Sequence, residues 1–105
     1  MSDHSAVREV IVFRLRLGPE TEAFKQCFAQ VRAAMREIGV EPGRVWHNMH
    51  GTGRDVRVER EFPSLAAYEL DDENFHAGPE FMALWREMES HVESMTVELY
   101  QAGGQ

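Results

Sequence analysis

The stretch RVWHNMHGTG, residues 44–53, sets a tryptophan, an asparagine and two histidines close together before ending in glycines. An imidazole near neutral pH moves protons, an amide orients oxygens, and an indole offers a flat wall to an aromatic ring. The spacing decides which of these groups act together. His47 and His50 stand three apart, which on a strand sends them to opposite faces, so they do not share a metal ion. The same alternation groups Trp46, Asn48 and His50 on one face. A third histidine, His76, lies in DDENFHAGPEF, where an acid/base role competes with that of a plain loop residue. Arg14, Arg16, Arg57, Glu59 and Glu98 alternate onto one face of their strands. There they either bind an anionic substrate or pair across strands. Tyr68 is a candidate for a hydroxyl pointing into a cavity. Asp71, Asp72 and Glu73 read as a solvated acidic stretch. The lone cysteine, Cys27, sits on an apolar helical stripe and reads as a small buried hydrophobe.

Composition narrows the partners. The chain has 105 residues, which suits one domain over 1–105. A domain of this size buries about two thirds of its unfolded surface, so pairing with a second copy would add useful core. The formal charge is −7 with a pI near 5.1, which disfavours nucleic acid and anionic membranes. The segment MSDHSAVREV lacks a basic segment followed by an apolar run, and no apolar stretch approaches a membrane span. A cytoplasmic location is expected. There is no phosphate loop, dinucleotide fingerprint or nucleophile elbow. The expected chemistry therefore uses no flavin, nucleotide, metal or other cofactor.

These residues need elements to position them. VREVIVFRLRL (7–17) is rich in β-branched residues and reads as a strand. Phe24, Cys27, Phe28, Val31, Met35 and Ile38 recur at helical spacing, and Gly39 suits the end of that helix. RVWHNMH (44–50) and DVRVEREF (55–62) alternate around Gly51-Thr52-Gly53 as a hairpin. Ser64 is a helix cap before LAAYEL (65–70), and DDENFHAG (71–78) interrupts the helix. Pro79 opens a second piece whose stripe is Phe81, Leu84, Trp85 and Met88, with Trp85 in the core. VESMTVELY (92–100) is the last strand, and QAGGQ is a loose tail. The order β-α-β-β-α-β matches the ferredoxin-like pattern, an α+β fold with an antiparallel sheet in the order 4-1-3-2.

Strand parity divides the sheet. Ile11/Phe13/Leu15, Val45/Met49, Val56/Val58/Phe62 and Met95/Val97/Leu99 are expected to face the helices. Val10/Val12/Arg14/Arg16, Trp46/Asn48/His50, Arg57/Glu59/Glu61 and Ser94/Thr96/Glu98/Tyr100 are expected on the face left bare.

The element order, VIVFRLRLGPETEAF leading into the first helix and VEREFPSLAAYE leading into the second, resembles the dimeric α/β-barrel superfamily. That superfamily includes antibiotic-biosynthesis-monooxygenase-like and NIPSNAP-like domains. The resemblance implies a homodimer with sheets packed face to face and a cavity between each sheet and its helices. It implies a cofactor-independent monooxygenase acting on an aromatic or polyketide-like small molecule. On that reading His50 or His76 would be the base, Asn48 and Arg57 would orient oxygens, Trp46 and Tyr68 would line the pocket, and Arg14 would help bind the substrate. An isomerase or cyclase on the same cavity, or a non-catalytic binder of small ligands, are the alternatives. Haem-degrading relatives carry an iron-ligating histidine near the position of His76. They usually add an asparagine early in the first strand, which this chain lacks, and Gly78-Pro79 also departs from their spacing.

Overall fold

A computed structural model of the chain describes residues 5–51 and 53–103. Thr52, within the expected hairpin turn, and the end of the tail lie outside them. The elements are β1 (Val7–Leu15), α1 (Pro19–Glu37), β2 (Arg44–His47), β3 (Asp55–Phe62), α2 (Leu65–Ala77), α3 (Pro79–Glu89) and β4 (Val92–Gln101). The sheet is antiparallel in the order β2-β3-β1-β4, the expected arrangement read from its other edge.

All three helices lie on one face. α1 buries Phe24, Cys27, Val31 and Met35, spaced three or four residues apart, against Ile11, Phe13, Val56 and Val58. Aromatic rings fill the seam: Phe13 lies 5.3 Å from Phe24 and 6.1 Å from Trp85, and Phe75 lies 4.9 Å from Trp85. Edge-to-face packing of this kind adds to the area the rings bury.

Several local expectations are corrected. The first strand stops at Leu15, where a bulge shifts its register against β4, so Arg16 leaves the sheet and donates to the Val92 carbonyl instead. α2 runs through 71–77 without a break, because Asp71 and Phe75 are buried by the chain rather than looped out. Gly78 is extended and divides α2 from α3, with Pro79 opening the latter. Ser64 caps α2 as expected, its Oγ accepting from the Ala67 amide at 3.1 Å. Val97 and Leu99 share the helix-facing side with Ile11 and Glu9 but remain about half exposed, since helix cover thins along the edge strand. Val10, on the other face, is buried by long neighbouring side chains.

Gly43 explains how β2 is brought so close to β3. Its φ is +77°, and a Cβ there would meet the Glu59 carbonyl oxygen at 2.6 Å and Arg60 Cγ at 2.7 Å. No side chain fits at that approach.

Candidate functional site

Cross-strand register arranges the uncovered face in rows. Trp46, Arg57, Val12 and Thr96 form one row; Arg44, Glu59, Val10 and Glu98 form the next. Glu61, Arg8 and Tyr100 form a third, and Asp55, Arg14 and Ser94 a fourth. Arg8, Arg14, Arg44 and Arg57 are balanced by Asp55, Glu59, Glu61 and Glu98, so this face carries no formal net charge in a chain at −7. Three of the four arginines are ion-paired. Arg14 grips Asp55 at 2.9 and 3.3 Å, Arg57 meets Glu59 at 2.7 Å, and Arg8 pairs with Glu61. The Arg44 guanidinium lies 5.4 Å from the centre of the Trp46 ring. Tyr100 donates to Glu98 at 2.6 Å, and that carboxylate raises the pKa of the phenol.

At one end of this face lies an open cleft of about 660 Å³. Arg8, Val10, Arg57, Glu61, Phe62 and Tyr100 are among its lining residues. It mixes apolar wall, guanidinium donors and carboxylate acceptors, the composition of a small-molecule site.

The residues singled out from the sequence divide. Trp46, Arg57 and Arg14 stand on the uncovered face, and Trp46 and Arg57 are direct register partners. Asn48 and His50 do not continue that row, because β2 ends at His47 and both lie in the hairpin connection. Asn48 Oδ1 instead accepts from the Gly53 amide at 2.8 Å, which holds the turn. Met49, expected to face the helices, is 89% exposed there. His76 sits on the last turn of α2 with Nδ1 2.8 Å from the Asp72 carbonyl oxygen, exposed to solvent. Neither His50 nor His76 lines the cleft. Tyr68 faces inward on the opposite, helix-covered side of the sheet.

There the structure assembles a group that alternation alone overlooked. Arg60, 2% exposed, donates through Nε to Glu9 at 2.7 Å, and through Nη1 to Asp71 at 2.7 Å and the Glu41 carbonyl at 3.0 Å. Tyr68 donates to the second oxygen of Glu9 at 3.0 Å, and the Glu41 amide donates to the second oxygen of Asp71 at 2.8 Å. Asp71 is therefore not part of a solvated stretch; it ties α2 to the α1–β2 turn. Burial by itself lowers the pKa of Arg60, but Glu9 and Asp71 more than offset that, and the guanidinium stays charged. Burial and the Glu9 carboxylate push the Tyr68 hydroxyl up to about 12. The signal for this network was present in the sequence: Glu9 and Arg60 occupy core parity on neighbouring strands.

The space between sheet and helices is filled. What remains beside Phe13, Phe28, Arg60 and Trp85 is about 10 Å³, near the room one water needs. A second open pocket of about 500 Å³ lies on the helix side, between the α1–β2 turn and α2, lined by Val40, Pro42, Phe62, Leu70 and Asp71 among others. No helix among the described residues is long and apolar enough to cross a membrane.

Comparison with known proteins follows this geometry. The model of the family described as NIPSNAP matches residues 8–102. A NIPSNAP family protein from Agrobacterium tumefaciens C58 superposes with a TM-score of 0.71 at 13% identity, covering 96% of this chain and 89% of that one. A dimeric protein of unknown function with a ferredoxin-like fold, from Bacteroides fragilis, gives 0.65 at 22% identity over 92% and 96%. A proposed antibiotic biosynthesis monooxygenase from Caulobacter crescentus CB15 gives 0.66 at 16% identity over 96% and 92%. No curated protein matches the sequence significantly.

Proposed function

The chain belongs to the NIPSNAP family, and on that premise we propose that it works as a homodimer holding a small hydroxylated aromatic molecule at the uncovered sheet face. The observation that carries the reading is the open cleft of about 660 Å³ on that face, where guanidinium donors, a carboxylate and apolar wall meet. Arg8 and Arg57 bring donors to the cleft, Glu61 an acceptor, and Val10, Phe62 and Tyr100 apolar surface. Because both arginines are already paired, a neutral or weakly acidic phenol suits this lining better than a strong anion. The balanced charge of the face lets two copies approach without repulsion, and the similar Bacteroides protein is dimeric. A second copy would close the cleft and exclude water.

The finer form of the proposal is oxygenation without a cofactor, supported by the fold shared with the Caulobacter protein. A phenol and O₂ would give a quinone and water, with the substrate supplying the electrons. Within the cleft, Glu61 is the group available to accept the phenolic proton. His50, His76 and Asn48 would take part only if the hairpin or α2 approached a bound substrate. The expected cytoplasmic location belongs to the same proposal.

The test is a panel of mono- and dihydroxylated aromatics, read by Trp46 fluorescence and by oxygen uptake. The expected result is saturable binding weakened at least tenfold by Arg57→Ala, with oxygen consumed by bound phenols. No response across the panel would overturn the binding reading. Binding without oxygen uptake would overturn the oxygenase form and leave a binder. Unchanged turnover in His50→Ala would remove that residue as the base.

A further inference from the structure

Across the sheet from the cleft, in the helix layer, donors of three chemical kinds converge. Cys27 of α1, Glu87 of α3 and His91, just before β4, bring a sulfur, a carboxylate oxygen and an imidazole nitrogen all within 4.8 Å of one another. Cys27 is 7% exposed, and among the described residues its thiol has no hydrogen-bond partner. It is thus a buried polar atom aimed into the cluster. Burial, then Glu87, raises its pKa. Glu20, on the first turn of α1, lies 2.6 Å from His91 Nδ1. A carboxylate behind the imidazole orients the ring, the usual support of a metal-ligating histidine.

We propose that Cys27, Glu87 and His91 bind a zinc ion, with Glu20 holding the His91 ring. The donor set selects the metal. Magnesium and calcium take oxygen donors and reject thiolate, whereas zinc accepts sulfur, nitrogen and oxygen together in a tetrahedron. Zinc–ligand bonds of about 2.0–2.3 Å set tetrahedral donors about 3.5 Å apart. Lying within 4.8 Å of one another, the three donors need to close by no more than about 1.3 Å. Uptake is balanced by one proton: the Cys27 S–H bond breaks, an S–Zn bond forms, and the proton passes to solvent. Three protein donors leave a fourth position for water. The ion would pin α1 to the corner between α3 and β4, and it is independent of any ligand in the cleft.

The experiment uses chelator-treated, tag-free protein titrated with Co²⁺ followed by absorbance, then with Zn²⁺ in competition. The expected result is one equivalent bound, with an intense thiolate-to-cobalt band in the near ultraviolet that Zn²⁺ abolishes. Cys27→Ser should lose the band. His91→Gln and Glu87→Gln, which sit at less buried positions, should each weaken binding at least tenfold while circular dichroism stays unchanged. Glu20→Gln should keep the band but weaken binding about tenfold. The absence of a thiolate band, or an affinity unmoved by His91→Gln and Glu87→Gln, would overturn the site.

Discussion

On the helix side of the sheet, Glu9 and Arg60 oppose each other at 5% and 2% exposure. On the other side, one residue along each strand, Val10 opposes Glu59, whose partner Arg57 is half exposed. Both faces carry guanidinium–carboxylate pairs at 2.7 Å, yet the pairs do different work. Withdrawn from water, Arg60 must recruit Asp71, the Glu41 carbonyl and, through Glu9, Tyr68. It thereby fixes how α2 and the α1–β2 turn sit on the sheet. Arg57 meets solvent and one carboxylate, and its remaining donors are available to a ligand or a second copy. Burial makes the same chemistry architectural, whereas on the open face it is left accessible.

Substitutions can break or sharpen this contrast. The largest effect belongs to Arg60→Ala, which strands two buried carboxylates and should cost about 3–5 kcal/mol in urea unfolding. Replacing Glu9, Arg60 and Asp71 together by apolar residues should cost less than Arg60→Ala alone, because no charge is left unpaired. Next is Gly43→Ala, which forces a Cβ against the Glu59 carbonyl at a positive φ and should cost about 2 kcal/mol. Tyr68→Phe removes one hydrogen bond to a carboxylate and should cost about 1.5 kcal/mol. Its pH dependence has a definite sign. The hydroxyl ionises at about 12 in the folded protein against an ordinary value of 10. Its contribution is therefore complete below pH 10 and lost as pH rises through about 12. Ultraviolet titration should show a late tyrosine ionisation that this variant lacks. The smallest effect is on the open face, where Arg57→Ala should change stability by less than about 0.5 kcal/mol. If it destabilises as much as Arg60→Ala, the distinction between the faces fails.

The element order and sheet topology were legible because hydrophobic alternation and helical spacing agree over most of the chain. The ends of elements were less so. The polar run DDEN looks like a helix break, but Asp71 finds a buried cation and Phe75 a core position, and these tertiary contacts keep α2 intact. In RVWHNMH the alternation continues past the point where strand pairing stops. Asn48 turns to hold Gly53, so the row that began with Trp46 goes on across Arg57 of β3 rather than along its own strand. Glu9 and Arg60 were visible as charges at core parity, but only their register shows that they neutralise one another. How far the aromatic rings fill the space beside Phe13 and Trp85, leaving about 10 Å³, is set by side-chain volumes and not by pattern.

The central claim is that the uncovered face is the working face and that a second copy covers it. Sedimentation at micromolar concentration tests it most directly, comparing the parent with Val12→Asp, a half-buried position in the middle of that face. The account expects the parent at twice the chain mass of 12.1 kDa, and the variant as a folded single chain. A parent that sediments at 12.1 kDa, or a Val12→Asp variant that remains fully dimeric, would contradict it.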